Sequence, residues 1–156
     1  MKTLLHFFLT AIIMANALTL VNVQGLELLQ ESLEKSVKQK KSDWMLGHKE
    51  FKPKDFVNFQ WGYKDKSITV YIAETASSRD AAQRFVAYQL AFSGPVKRTV
   101  LTGYGDEANL YKAGGRSRKV ALISRQGKYF IRIAADHQSD AEFIVKEICE
   151  LIKTVG

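Results

Sequence analysis

Two patterns of apolar and polar residues divide the first half of the chain into a helix and a hairpin. Apolar residues recur every three or four positions over 26–37, which predicts a short amphipathic helix ending in a basic turn. Strict alternation over 56–63 predicts a strand buried on one side, with 68–73 as its hairpin partner. The connector 42–54 contains Pro53, so we expect no regular element there.

The second half of the chain repeats this plan. Residues 119–125 and 128–134 predict two strands joined by a tight turn. A final helix begins at Ser139, just as a helix capped by Ser77 or Ser78 follows the first hairpin. The sequence therefore contains the order strand, strand, helix twice.

The two halves align residue by residue. The strand 68–73 corresponds to 129–134. The helix stripes share one spacing: Ala81, Phe85, Tyr88 and Phe92 in the first half, Ala141, Val145, Ile148 and Ile152 in the second. We expect an α+β domain over 26–156, made of two β-β-α repeats (about 56–93 and 119–156) after an N-terminal helix. The repeats would form one antiparallel sheet with helices on a face of it. The alternative to a true duplication is chance similarity between the two segments.

The first 25 residues have the pattern of a cleaved secretory signal. Lys2 precedes an uncharged apolar run, and small residues allow cleavage after Ala17 or after Gly25. We prefer Gly25, because the amphipathic pattern begins at the next residue. The alternative is a retained membrane anchor, since Leu4 to Val23 is about long enough to span a bilayer. Cleavage predicts a secreted or periplasmic domain with no stable membrane span.

Charge and cysteine content narrow the classes of partner. All 16 acidic residues and all basic residues except Lys2 follow the signal, which leaves a net charge of +6. An exported basic domain favours an anionic ligand or envelope protein, and we expect no nucleic acid. Cys149 is the only cysteine, so no intrachain disulfide forms, and its place on an apolar helix stripe predicts a buried free thiol.

Candidate acidic and histidine chemistry lies in two turns. Asp106 and Glu107 follow two glycines, but adjacent residues of an extended segment point to opposite faces, so we expect a tight turn rather than convergence on one atom. Asp136 and His137 stand between a strand and a helix, where at most two metal ligands are in view. We therefore expect no metal ion and no cofactor.

Candidate basic chemistry lies in a loop and on two strands. Arg116 and Arg118 follow a Gly-Gly pair, which resembles a phosphate-binding loop in composition but lacks its Gly-Lys-Ser/Thr ending. Arg125 and Arg132 stand on neighbouring predicted strands. The alternating aromatic residues Phe59, Trp61 and Tyr63 would form either a sugar or lipid platform or, as the alternation favours, part of the core.

The second half, from Gly103 to about Ile152, resembles small exported bacterial domains that combine Gly-Asp-Glu-Ala, a strand, an Arg-x-Gly hairpin and a capped helix. The matching residues are Gly105, Asp106, Glu107, Ala108, Arg125, Gly127, Tyr129, Ile131, Asp140 and Ala141. Similar stretches occur in bacterial envelope lipoproteins and in extracellular sensor domains of some membrane kinases, many of them PsbP-like α/β/α sandwiches. The resemblance implies such a fold and a binding or sensing role. The chain lacks the lipidated cysteine of the lipoproteins.

Three hypotheses for function follow. The leading one is an exported, non-catalytic binding or sensor module, monomeric or homodimeric, whose ligand contacts Asp106, Glu107, Arg116, Arg118, Arg125, Arg132 or His137. The second is a small secreted hydrolase built from Asp106, Glu107 and His137. The third is a secreted inhibitor or assembly subunit that acts through an exposed apolar surface.

Overall fold

The computed structural model describes residues 25–91, 96–114 and 119–155, and in these it contains three helices and seven strands. The predicted signal 1–25 lies outside the described residues except for Gly25, and so do Arg116 and Arg118. The elements are α1 (25–40), β1 (Met45–Lys52), β2 (Phe56–Tyr63), β3 (Lys66–Glu74), α2 (Ser78–Ala91), β4 (Val96–Leu101), β5 (Glu107–Ala113), β6 (Val120–Gln126), β7 (Tyr129–Ala135) and α3 (Gln138–Val155).

All seven strands belong to one antiparallel sheet with the order β1-β2-β3-β7-β6-β5-β4. Two meanders, β1 to β3 and β4 to β7, meet where β3 pairs with β7 and Val70 lies opposite Ile133. The α+β class and the single antiparallel layer are thus as the sequence predicts. The likeness to PsbP domains stays a prediction.

Helices α1 and α3 share one face of the sheet. Their apolar stripes pack on the inward residues of β2, β3, β6 and β7, among them the fully buried Phe59 and Ile131. Val145 of α3 is also fully buried. Burial of these side chains supplies the main stabilisation of the fold, at roughly 1.5–3 kcal/mol for each large one.

Helix α2 packs on the opposite face of the sheet, where Phe85 contacts a second apolar cluster containing Tyr111, Ile123 and Phe130. The expectation that the helices share a face is therefore wrong for α2. The physical reason is that α1 already occupies the α3 side with Leu26, Leu29, Leu33 and Val37.

The predicted order strand, strand, helix occurs twice, in β2-β3-α2 and β6-β7-α3, but the two helices take different positions on the sheet. Val57 lies opposite Ile72 in the first hairpin, and the aligned Leu122 lies opposite Ile133 in the second. Helix α3 packs on its own hairpin, whereas α2 crosses to cover β6 and β7. The two hairpins therefore share one pairing pattern, whereas their helices lie on opposite faces of the sheet.

Strand β1 corrects the prediction of an irregular connector. It is an edge strand that pairs with β2, with a bulge between Leu46 and His48, and nearly all of it is exposed. An exposed edge needs no apolar alternation, because backbone hydrogen bonds alone define it. Trp44, just before β1, and Phe51, within it, pack against the core.

Candidate functional site

Asp106, Glu107 and Arg125 form one ionic cluster at the start of β5. The Arg125 Nε donates to Glu107 Oε2 at 2.5 Å, and its Nη1 donates to Asp106 Oδ2 at 3.2 Å. The two carboxylates lie in a tight turn, as the sequence predicts, and meet on one guanidinium at different nitrogens, although they do not point to opposite faces. Gly105, with φ +93°, bends the chain just before them, so the alternation rule does not reach Asp106.

Hydrogen bonds to the backbone connect this cluster to the turn between β6 and β7. Asp106 Oδ2 accepts from the backbone N–H of Gly127 at 2.8 Å, and the Asp106 N–H donates to the Arg125 carbonyl at 2.8 Å. The buried Ser124 hydroxyl donates to the Tyr104 carbonyl at 2.6 Å. The Gly-Asp-Glu-Ala turn and the Arg-x-Gly hairpin are therefore held together by these hydrogen bonds and by the ion pairs of Arg125.

His137 does not join this cluster. It follows β7 at the end of the sheet opposite to the Arg125 end, seven positions along the chain from Phe130, the partner of Arg125. That separation is about 20 Å at the usual rise of a strand. Proton transfer requires hydrogen-bond reach or one bridging water, so Asp106, Glu107 and His137 cannot act together as a hydrolase site.

Asp136, the neighbour of His137, has a structural role. Its Oδ2 accepts from the backbone N–H of Ser67 at 2.6 Å, and its own N–H donates to the Ser67 carbonyl at 3.2 Å. These bonds tie the end of β7 to the start of β3. Among the described residues, no group of three histidine, cysteine or acidic side chains is placed to hold a metal ion.

Arg132 stands apart from the other candidates. Its guanidinium carbon lies 5.3 Å from the ring centre of Tyr71 and 5.4 Å from that of Tyr88, and its Nη1 donates to the Tyr88 hydroxyl at 2.8 Å. The side chain is half-buried on the face of the sheet that carries α2. No described carboxylate forms a salt bridge with it.

A cavity of about 450 Å³ opens beside Arg132, between the end of α2 and the sheet. Its floor consists of small residues on neighbouring strands, Thr69, Ala121 and Ala134, while Tyr88 and Arg132 form a wall. This volume falls within the range of roughly 300–1,000 Å³ that small-molecule sites occupy.

Aromatic residues that the sequence pattern did not single out lie on the same face of the sheet as Arg132. Phe59 and Trp61 are core, as the alternation favours, and their rings stack at 4.7 Å. Phe56 and Tyr71 instead stand in the opposite phase of their strands and stack with each other at 5.3 Å, on the face of Arg132. The sequence does contain a pattern that could have pointed to these residues. Each is an aromatic or basic residue at a position where strict alternation would place a polar side chain facing outward.

Cys149 is the buried free thiol that the sequence predicts, with 2% exposure. Burial raises the pKa of this thiol to about 11, although a hydrogen bond with Ser124 opposes the shift. The thiol is therefore neutral near pH 7 and unsuited to nucleophilic chemistry.

Two surface properties complete the description. The most exposed large apolar side chains, Leu90, Met45 and Val100, are spread over α2, β1 and β4. None of the described helices has both the length and the apolar character needed to cross a bilayer.

Comparison with known proteins finds no matching family model, curated protein or solved structure.

Proposed function

We propose that this chain is an exported, non-catalytic binding or sensor module that recognises an anionic ligand at Arg132. The observation that carries this proposal is a half-buried guanidinium that contacts two tyrosine rings beside a cavity, with no described carboxylate as its partner. The ring contacts and the hydrogen bond to the Tyr88 hydroxyl restrain the guanidinium, and its planar fork of donors suits a carboxylate, phosphate or sulfate group.

The other candidate charges support Arg132 as the centre. Arg125 is neutralised by Asp106 and Glu107, so its charge is already used within the fold. Lys40 and Lys128 are likewise paired, with Glu147 and Glu74. An incoming anion gains most from a cation that is partly dehydrated and lacks such a partner.

Export defines the pool of ligands. The signal pattern over 1–25 and the net charge of +6 in the rest of the chain point to anionic components of the envelope or to an anionic partner protein. The fold is then a scaffold that presents one site, and no reaction is part of the proposed function.

Binding measurements on the purified protein test the proposal. The probes are vesicles with and without anionic phospholipid, polygalacturonate beside neutral dextran, and inorganic phosphate. We expect the protein to bind at least one anionic probe more tightly than its neutral counterpart, and Arg132→Ala to weaken that binding at least tenfold. Arg132→Lys keeps the charge but loses the planar fork, so it should restore only part of the affinity.

Arg79→Ala is the matched control, since Arg79 is an exposed arginine in the first turn of α2 and makes no described salt bridge. It removes the same charge without touching the cavity. Equal losses in Arg79→Ala and Arg132→Ala would show a diffuse charge effect and refute the site. Absence of any preference for the anionic probes would refute the function.

A further inference from the structure

The face of the sheet that carries α2 is covered over only part of its width by the described residues. Helix α2 packs on β6 and β7, while the outward residues of β1, β2 and β3 on this side, apart from the buried Ala73, are exposed or half-buried. Antiparallel sheets commonly leave one face in water, but such a face is usually polar throughout. Here it also carries aromatic rings.

Two cations with two aromatic rings between them form a row across this open face. Lys52 Nζ lies 5.3 Å from the ring centre of Phe56, Phe56 stacks on Tyr71, and Arg132 lies over Tyr71. Both rings are half-buried, so each keeps exposed surface. The order across the sheet is cation, ring, ring, cation, ending at Tyr88 beside the cavity.

Hydrogen-bonding side chains flank the rings. Asn58 lies directly opposite Tyr71 in the β2–β3 register, and Gln60 lies opposite Thr69 one step along. Glu50 lies opposite Asn58 and places a carboxylate at the edge of the same face. Rings bounded by amides and hydroxyls match the alternating C–H faces and hydroxyl groups of a sugar.

The same features disfavour a lipid or an added peptide strand. The exposed large aliphatic side chains are divided among α1, β1, α2 and β4. Those of β1, Met45 and Leu46, lie at the opposite end of that strand from Lys52, whereas a lipid surface would require them beside the rings. A peptide strand would pair with the exposed backbone of an edge strand, whereas the cations and rings point out of the face.

We infer that the ligand is an acidic oligosaccharide that lies across β7, β3, β2 and β1. This inference rests on the proposed function. One carboxylate or sulfate group binds Arg132 and a second acidic group binds Lys52. The C–H groups of the sugar rings contact the exposed edges of Tyr71 and Phe56, since the faces of these two rings are covered by each other and by the two cations. Lys52 and Arg132 are three strand spacings apart, about 14 Å, which exceeds the reach of one monosaccharide.

The inference is tested by titrating the purified protein with four kinds of ligand. These are galacturonate, galacturonate oligomers of increasing length, sulfated dextran and neutral dextran. We expect affinity to rise from monomer to oligomer and neutral dextran not to bind. The galacturonate and sulfated series distinguish the carboxylate from the sulfate as the preferred group. Tyr71→Leu and Phe56→Leu remove a ring but keep apolar volume, and each should weaken oligomer binding about tenfold.

Tyr71→Phe keeps the ring and should retain affinity, which separates loss of the ring from loss of the hydroxyl group. Thermal unfolding of each variant checks that it still folds. Lys52→Ala should weaken binding of the oligomer but not of the monomer. Its matched control is Lys97→Ala, an exposed lysine on the other edge strand whose register places it opposite Lys112 on the α3 face.

Two results would overturn the saccharide inference while the proposed function stands. One is loss of binding in Arg132→Ala with unchanged binding in Tyr71→Leu and Phe56→Leu. The other is Arg132-dependent binding to anionic vesicles or phosphate with no binding of acidic saccharide. If no anionic probe binds at all, the proposed function itself fails.

Discussion

The Asp106 carboxylate accepts a hydrogen bond from the backbone N–H of Gly127 at 2.8 Å, across a separation of 21 residues. This bond joins the start of β5 to the turn between β6 and β7. The same oxygen also accepts from Arg125, so a single side chain holds a turn and a guanidinium in place. Its role in this protein is architectural.

Asp106→Ala should therefore destabilise the protein without affecting binding at Arg132. We expect the free energy of unfolding to fall by about 1–2 kcal/mol, because a backbone donor and part of an ion pair lose their acceptor while Asp106 itself is partly exposed. Urea unfolding measures the stability, and titration with the anionic probe measures the binding. A loss of affinity with unchanged stability would instead assign Asp106 to the ligand site.

Gly105 and Gly103 allow a controlled comparison of two glycines. Both have positive φ, +93° and +83°, but a Cβ on Gly105 would lie 2.5 Å from the Arg125 carbonyl oxygen, while one on Gly103 would meet nothing within 4 Å. Gly105→Ala should cost about 3 kcal/mol or more, and Gly103→Ala about 1 kcal/mol. Equal unfolding midpoints for the two variants would contradict the close approach of Gly105 to the Arg125 carbonyl.

Glu147 should make the packing of α1 on α3 sensitive to acid. It accepts from Ser36 at 2.6 Å and from Lys40 at 2.7 Å, and although burial acts to raise the pKa of Glu147, these two hydrogen bonds outweigh it and the pKa is lowered from 4.5. A carboxyl group whose folded pKa is depressed stabilises the fold above its unfolded pKa. That contribution is lost as the pH falls through the folded value.

Glu147→Gln should thus be less stable than the parent protein at neutral pH by about 1 kcal/mol. The difference should shrink as the pH drops below about 4.5, which urea unfolding at a series of pH values would show. A difference that stays constant down to about pH 3 would show that the charge of Glu147 contributes nothing.

The Cys149 thiol should react with alkylating reagents only when the protein opens. Burial raises its pKa to about 11 from 9.0, so the thiolate that would attack the reagent is scarce and enclosed. The raised pKa also means that its contribution to stability is complete below about pH 9 and is lost as the pH rises toward 11. We expect slow labelling of the native protein near neutral pH and rapid labelling in urea, and comparable rates in the two conditions would contradict the buried position.

The sequence determined the elements whose signal is local. Strand β2 has the predicted bounds, Phe56–Tyr63, because alternation reports burial of one face directly. The start of α2 is fixed by Ser77, whose hydroxyl accepts from the Asp80 N–H at 3.2 Å. Helix α3 begins at Gln138, one residue before the predicted Ser139, and the Gln138 side chain donates to Glu142 at 2.6 Å in its first turns.

Only the tertiary structure decided where those elements lie and which residues meet. An apolar stripe shows that a helix is buried but not on which side of a sheet, so the position of α2 depended on the space that α1 had filled. Strand β1 gave no pattern because its pairing is made by backbone groups that every sequence possesses.

The candidate site divides in the same way. Arg132 was visible as a cation in an apolar strand, whereas Phe56, Tyr71 and Tyr88 belong to β2, β3 and α2 and come to it only through strand pairing and helix packing. Local sequence sets which side of a strand a residue takes, since that depends on its own backbone. Its neighbours across the sheet are set by register and topology, which are cooperative properties of the whole fold.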